Sequence, residues 1–173
     1  EPFALFKDVM KIDVTELEDT DDLHHPEGVI REAQQLAARC FGADETFFLV
    51  GGSTAGNLAM LLAALDPGDA IVVQRNVHKS VLNGIALARA RAIFVAPQME
   101  PASGLPTVPA AADIETALSR HPDAKAVFLS TPNYYGMHVQ LAPYAEIAHH
   151  HRVPLLVDEA HGAHFGLHPA CPP

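Results

Sequence analysis

An aspartate at the end of an apolar run is the strongest chemical signal in the sequence: Leu155-Leu156-Val157-Asp158-Glu159-Ala160-His161-Gly162-Ala163-His164-Phe165. A carboxylate at the end of a buried strand needs a partner, because an unpaired charge away from water is costly. A cationic ring nitrogen, a metal ion or a neighbouring side chain would each serve. Imidazole and carboxylate are zinc ligands, so His161, His164 and His168 beside Asp158 raise the metal option. The spacing matches neither an H-E-x-x-H helix nor a Cys/His site, and no metal is assigned. His149-His150-His151 reads as a solvated helix end.

A second segment, Gly51-Gly52-Ser53-Thr54-Ala55-Gly56-Asn57, could hold an anion. Its glycines let backbone approach a ligand, and two hydroxyls follow at a helix N-terminus, where free N–H groups and the positive helix end converge. The plainer reading is a helix cap with a tight turn. A Walker A loop needs Gly-Lys-Ser/Thr, and the dinucleotide fingerprint needs G-x-G-x-x-G; neither is here, so the expected anion is one small phosphate. In Arg75-Asn76-Val77-His78-Lys79-Ser80 the histidine precedes a helix start. It is either a solvent-exposed helix-start residue or a flat stacking platform for an aromatic ligand. Turn chemistry accounts for most of Ser130-Thr131-Pro132-Asn133-Tyr134-Tyr135-Gly136.

These segments follow short β-branched or aromatic runs, and in α/β sheets ligands bind at the carboxyl ends of strands. Strands are expected at Thr46–Val50, Ala70–Gln74, Ala92–Ala96, Ala126–Ser130 and Pro154–Val157. Helices are expected at Ser53–Leu65, Ser80–Ala90, Ala110–Ser119 and Ala142 to about His150, with Gly, Pro and Asn at the junctions. The fold class is therefore α/β, with a mostly parallel sheet covered on both faces. Residues 1–45 are expected to form an irregular acidic lead-in, with Glu16, Glu18, Asp19, Asp21 and Asp22, and then one amphipathic helix. That helix carries Val29, Ala33, Leu36, Ala37 and Cys40 and stops at Gly42. Residues 46–173 form the α/β part, with Met99–Pro109 as its long surface loop.

At 173 residues, 49% of them hydrophobic and 18% charged, the chain has the material for one packed domain or part of one. Eleven Lys plus Arg against twenty-one Asp plus Glu leave a net charge of −10. That balance opposes the counterion-release mode of nucleic-acid binding. No apolar run approaches the roughly 18 residues of a membrane span, and the start lacks a secretory pattern, so a cytoplasmic protein is expected. Cys40 and Cys171 form no C-x-x-C and read as free thiols.

Taken together, Gly52–Asn57, Arg75-Asn76-x-His78-Lys79-Ser80-Val81, Pro132-x-Tyr134-Tyr135-Gly136 and Asp158–Phe165 resemble the Orn/Lys/Arg decarboxylase family over about residues 8–168. The resemblance implies an aspartate-aminotransferase-like, three-layer α/β/α large domain that binds pyridoxal 5′-phosphate (PLP). It implies that Ser53, Thr54 and the Ala55 N–H hold the cofactor phosphate and that His78 stacks on one face of the pyridine, with the Ala160 methyl on the other. Asp158 would pair with the ring nitrogen, and His161 would meet the phenolic oxygen. A carboxylate beside that nitrogen keeps it protonated, the condition under which the ring accepts electrons. The implied catalytic residues within the chain are His78 and Asp158. The implied reaction is decarboxylation of a basic amino acid (ornithine, lysine or arginine) to its amine, by a homodimer or higher homo-oligomer.

The sequence departs from the family pattern at one point. The family's Schiff-base lysine lies downstream of the aspartate strand, whereas Lys7, Lys11, Lys79 and Lys125 all precede Asp158. The expectation is a partial large domain, inactive alone, that binds PLP weakly and reversibly. The same fold also serves aminotransferases and other PLP lyases, and the missing lysine is compatible with a non-catalytic interaction module.

Overall fold

The apolar runs at Ala70–Gln74 and Ala124–Ser130 become strands buried on both faces, while those at Arg91–Val95 and Leu155–Asp158 become strands that stay half-buried or partly exposed. In the computed structural model, which describes residues 2–17 and 19–171, the chain divides into two units, Glu1–Phe48 and Leu49–Pro173. Glu18, counted above in the acidic lead-in, lies outside the described residues.

The first unit holds helix α1 (Pro2–Phe6), a 3-10 turn at Val9–Lys11 and helix α2 (Val29–Phe41). The N-cap of α2, Gly28, has no side chain to offer, and Asp21 does that work from seven residues upstream. Its carboxylate accepts the N–H groups of Asp22, Glu27, Gly28 and Ile30 at 2.9–3.0 Å. These bonds, led by that from Glu27, hold the Asp21 carboxyl down at about 2. Gly42 ends the helix in the left-handed conformation, φ +67°, as its position predicts.

The second unit contains α3 (Gly52–Ala64), β1 (Ala70–Gln74), α4 (Lys79–Leu87), β2 (Arg91–Val95), α5 (Ala111–Arg120), β3 (Ala124–Ser130), α6 (Ala142–His150) and β4 (Leu155–Asp158). The strands form one sheet in the order β2-β1-β3-β4, every pair parallel. Alternation along the strands divides the core in two. Ile71, Val73, Ala126 and Phe128 face one way and pack with Leu61 of α3 and Val81 and Ile85 of α4. Ala70, Val72, Val127 and Leu129 face the other way and pack with Ile114 and Leu118 of α5 and Tyr144 and Ala148 of α6. The unit is thus a three-layer α/β/α sandwich. Within one helix layer, α3 and α4 touch at Gly84, where a β-carbon would sit 2.5 Å from Leu61 Cδ1.

Four of the expected strands form; Thr46–Val50 does not. Its residues are apolar and aromatic, but strand propensity is realised only by pairing and packing, and no partner strand exists for it among the described residues. Phe47 and Val50 are exposed. The apolar stripe expected on α2 is only partly covered: Val29, Leu36 and Cys40 are exposed, Ala33 and Ala37 are half-buried, and the buried residues of the helix are Gln34 and Ala38. The lead-in is not wholly irregular, since α1 occupies its start. The 99–109 loop is organised by a bridge between Met99 and Pro106 and by the Gln98 N–H on the Val108 carbonyl.

Candidate cofactor site

The parallel sheet delivers the carboxyl ends of β1, β3 and β4 to one rim, and the N-terminus of α3 meets them there. Ser53, Thr54, His78, Asp158, Ala160 and His161 all line one cavity of about 390 Å³, within the usual size for a small-molecule site. Ala55, the seventh residue singled out, is not part of the lining. Its methyl turns back on the preceding loop, where a β-carbon on Gly51 would stand 2.9 Å away.

Asp158 ends β4, in register with Ser130 of β3. Its Oδ2 accepts from Asn57 Nδ2 at 2.9 Å and its Oδ1 from the Ala160 N–H at 3.2 Å. The aspartate is therefore half-buried, aimed at the α3 layer and held at both oxygens. At the start of α3 the N-cap Gly51 offers no side-chain acceptor, so the first turn presents its N–H groups with the hydroxyls of Ser53 and Thr54. His78 is the N-cap of α4: its Nδ1 accepts the Ser80 N–H at 3.2 Å and lies 2.8 Å from Ser80 Oγ.

The segment after β3 is shaped by Asn133, whose Oδ1 accepts the N–H groups of Tyr135 and Met137 at 3.0 Å each. The Asn133 amide donates to the Pro106 carbonyl at 2.8 Å, and the Asn76 amide donates to Thr107 at 3.1 Å. The two amides latch the 99–109 loop to the rim. Tyr134 stands over the cavity with its ring edge-on to His161, centroids 6.0 Å apart. Beneath the 159–162 turn, a β-carbon on Gly162 would lie 2.7 Å from Pro132 Cδ and 2.6 Å from Glu159 Cγ. Desolvation pushes the Glu159 carboxyl above the ordinary carboxylate range.

Three buried polar atoms have no partner among the described residues: Gln74 Nε2, Asn76 Oδ1 and Ser130 Oγ. Asn76 and Ser130 line the cavity. Sequence reasoning gave no role to Asn57, Asn76, Ser80 or Asn133; the first three stood inside recognised motifs without a function, and Asn133 at an unspecified position of one. A second cavity of about 420 Å³, along β2 and α5, contains none of the residues singled out for chemistry. No cluster able to hold a metal ion, and no helix long and apolar enough to cross a membrane, occurs among the described residues.

The sandwich and its rim place the second unit in the aminotransferase fold class. N-succinyldiaminopimelate aminotransferase from Mycobacterium tuberculosis superposes with a TM-score of 0.53 over 61% of this chain and 27% of its own, at 21% identity. The chain belongs to the Orn/Lys/Arg decarboxylase family, whose major-domain model matches residues 4–172. The Bacillus subtilis protein YaaO is 50% identical over 164 residues, which are 95% of this chain and 34% of YaaO. An arginine decarboxylase of Halalkalibacterium halodurans is 42% identical over 94% of this chain and 33% of its own length. The chain spans about a third of the length of these relatives.

Proposed function

We propose that this chain supplies the phosphate- and ring-binding half of a PLP site, and that the whole protein decarboxylates a basic amino acid. The observation that carries the reading is the convergence of Asp158 and the Ser53–Thr54 turn on one cavity, with Asn57 bridging α3 to the carboxylate. The donor set fits the cofactor. An uncapped helix start with two hydroxyls suits a phosphate dianion, and an ionised acid on the facing strand suits a protonated ring nitrogen. Asn76 Oδ1 and Ser130 Oγ are orphaned polar atoms that a polar ligand would satisfy.

In this reading Ser53, Thr54 and the Ala55 N–H bind phosphate, His78 and Ala160 border the ring, and His161 reaches its phenolic oxygen. When bound, PLP supplies an electron-accepting heterocycle. Asp158, its two oxygens already fixed by Asn57 and Ala160, orients that heterocycle and keeps its nitrogen protonated. His78 and Tyr134 line the same cavity. None of Lys7, Lys11, Lys79 and Lys125 lines the cavity, so the reading assigns no covalent attachment to residues 1–173 and expects this chain alone to be inactive. The whole protein is read as a homo-oligomer acting on ornithine, lysine or arginine, in keeping with the arginine decarboxylases among its relatives.

Absorbance titration of the chain with PLP tests the site. Saturable, reversible binding that is lost in Asp158→Ala and weakened in Ser53→Ala/Thr54→Ala is the expected result. Binding indifferent to Asp158→Ala, or no binding, refutes it. For a longer form of the protein, CO₂ release from arginine, lysine or ornithine supports the decarboxylase reading, and keto-acid formation without CO₂ overturns it.

A further inference from the structure

We infer that Asn57 and Ser80 are positioning residues that lock His78 as its Nε2–H tautomer and join it to Asp158 through an unbroken run of hydrogen bonds. Both are 2% exposed, so water does not compete for their polar atoms. The direction of every bond follows from the inventory of donors. An ionised carboxylate only accepts, and Asp158 Oδ2 lies 2.9 Å from the Asn57 side-chain amide, so the amide nitrogen must face it. The same Nδ2 lies 3.0 Å from Ser80 Oγ, so its second hydrogen is given there and the hydroxyl accepts. The one hydroxyl proton of Ser80 is then free for its remaining neighbour, His78 Nδ1, at 2.8 Å. The Ser80 backbone N–H points at that nitrogen too, at 3.2 Å. A ring nitrogen that receives two donors carries no hydrogen, and the proton of a neutral imidazole then resides on Nε2.

The acid on β4 thus dictates the tautomer of a ring at the start of α4, through one residue of α3 and one of α4. The consequence for a ligand is definite. The ring of His78, which lines the cavity, offers an N–H and no in-plane lone pair, and an anionic oxygen of a bound molecule is the chemistry it would recognise. That bearing on ligands rests on the PLP reading above; the lock itself involves only groups of this chain.

Long-range proton–nitrogen correlation spectra of the full chain, labelled with ¹⁵N-histidine, read the tautomer directly, with His78 assigned by the signals lost in His78→Gln. The expected wild-type spectrum shows Nδ1 unprotonated and Nε2 protonated. In Ser80→Ala the two nitrogen shifts should move toward each other as the tautomers mix, and Ser80→Thr, which keeps the hydroxyl, should restore the wild-type pattern. A wild-type Nδ1 that is protonated or averaged overturns the proposal, whether or not Ser80→Ala folds. A folded Ser80→Ala with the wild-type pattern overturns the role of Ser80. PLP titration of the same sample keeps the two ideas apart. An intact tautomer without PLP binding removes the cofactor reading alone, and an averaged tautomer with normal binding removes the lock alone.

Discussion

Gly162 is the sharpest test of how the site is packed. It is buried under the turn that follows Asp158, and its backbone is not in the left-handed region, so alanine carries no conformational penalty there and any cost is steric. An added β-carbon would meet Glu159 Cγ at 2.6 Å and Pro132 Cδ at 2.7 Å, both inside van der Waals contact. The glutamate arm can swing away, but the proline ring belongs to the buried 131–133 segment and cannot. The 159–162 turn must therefore lift from the segment that carries Asn133 and Tyr134, which widens the cavity between Ala160, His161 and Pro132. Overpacking of this kind costs about 1–3 kcal/mol. If that cost falls on the ligand-competent arrangement, PLP affinity drops by about 5- to 150-fold at 1.4 kcal/mol per decade. The assay is PLP titration with thermal unfolding in parallel, and the control is Gly104→Ala. Gly104 has φ +67° and nothing within 4 Å of an added β-carbon. That variant should lose roughly 1 kcal/mol of stability through backbone strain and leave affinity unchanged. Wild-type affinity and stability in Gly162→Ala would refute the packing argument.

Two further outcomes concern the helices, one in each unit. Gly84→Ala gains about 1 kcal/mol of helix propensity, but its methyl would sit 2.5 Å from Cδ1 of the fully buried Leu61 and 3.3 Å from Leu58 Cδ2. Overpacking should win by roughly 1 kcal/mol in denaturant unfolding, and the same change made in Leu61→Ala should be stabilising because the clash is gone. Asp21 yields a pH prediction. Its carboxyl titrates at about 2 when folded, against an ordinary 3.8. The stability it lends to α2 is therefore complete above pH 3.8 and is lost as pH falls through 2. Asp21→Asn keeps a residue that tolerates the observed φ of +64° and removes the charge. Its α2 helicity, followed by circular dichroism, should lose the dependence on pH between 4 and 2; an unchanged acid limb would refute the capping role.

The second unit was largely legible because its punctuation is local. Asp66-Pro67-Gly68-Asp69 and His121-Pro122 end helices through backbone chemistry that needs no tertiary context, and runs such as Ala70–Gln74 are too apolar to sit anywhere but a covered sheet. The candidate site was legible for a related reason: residues after parallel strands share one rim, so reading the junctions finds Asp158 and His78 together. What pairing decides could not be read. Thr46–Val50 has strand-forming residues and no partner strand among the described residues, and the α2 stripe leaves Val29, Leu36 and Cys40 exposed. The roles of Asn57 and Ser80 depend on how α3 lies against α4 and β4, since Asn57 stands 101 residues from the carboxylate it holds. No periodicity within α3 carries that information.

Asp158 rides on β4, which among the described residues is the outer strand of the sheet, hydrogen-bonded to β3 along one side. Margin strands release their amides to solvent at lower free energy than interior ones such as β1. The acid is consequently moored twice, loosely by a four-residue strand and firmly by a buried amide projecting from a thirteen-residue helix. In deuterium labelling the 155–158 amides should exchange ahead of those in β1. The Asn57 tether, rather than the sheet, then sets how long the carboxylate keeps its station.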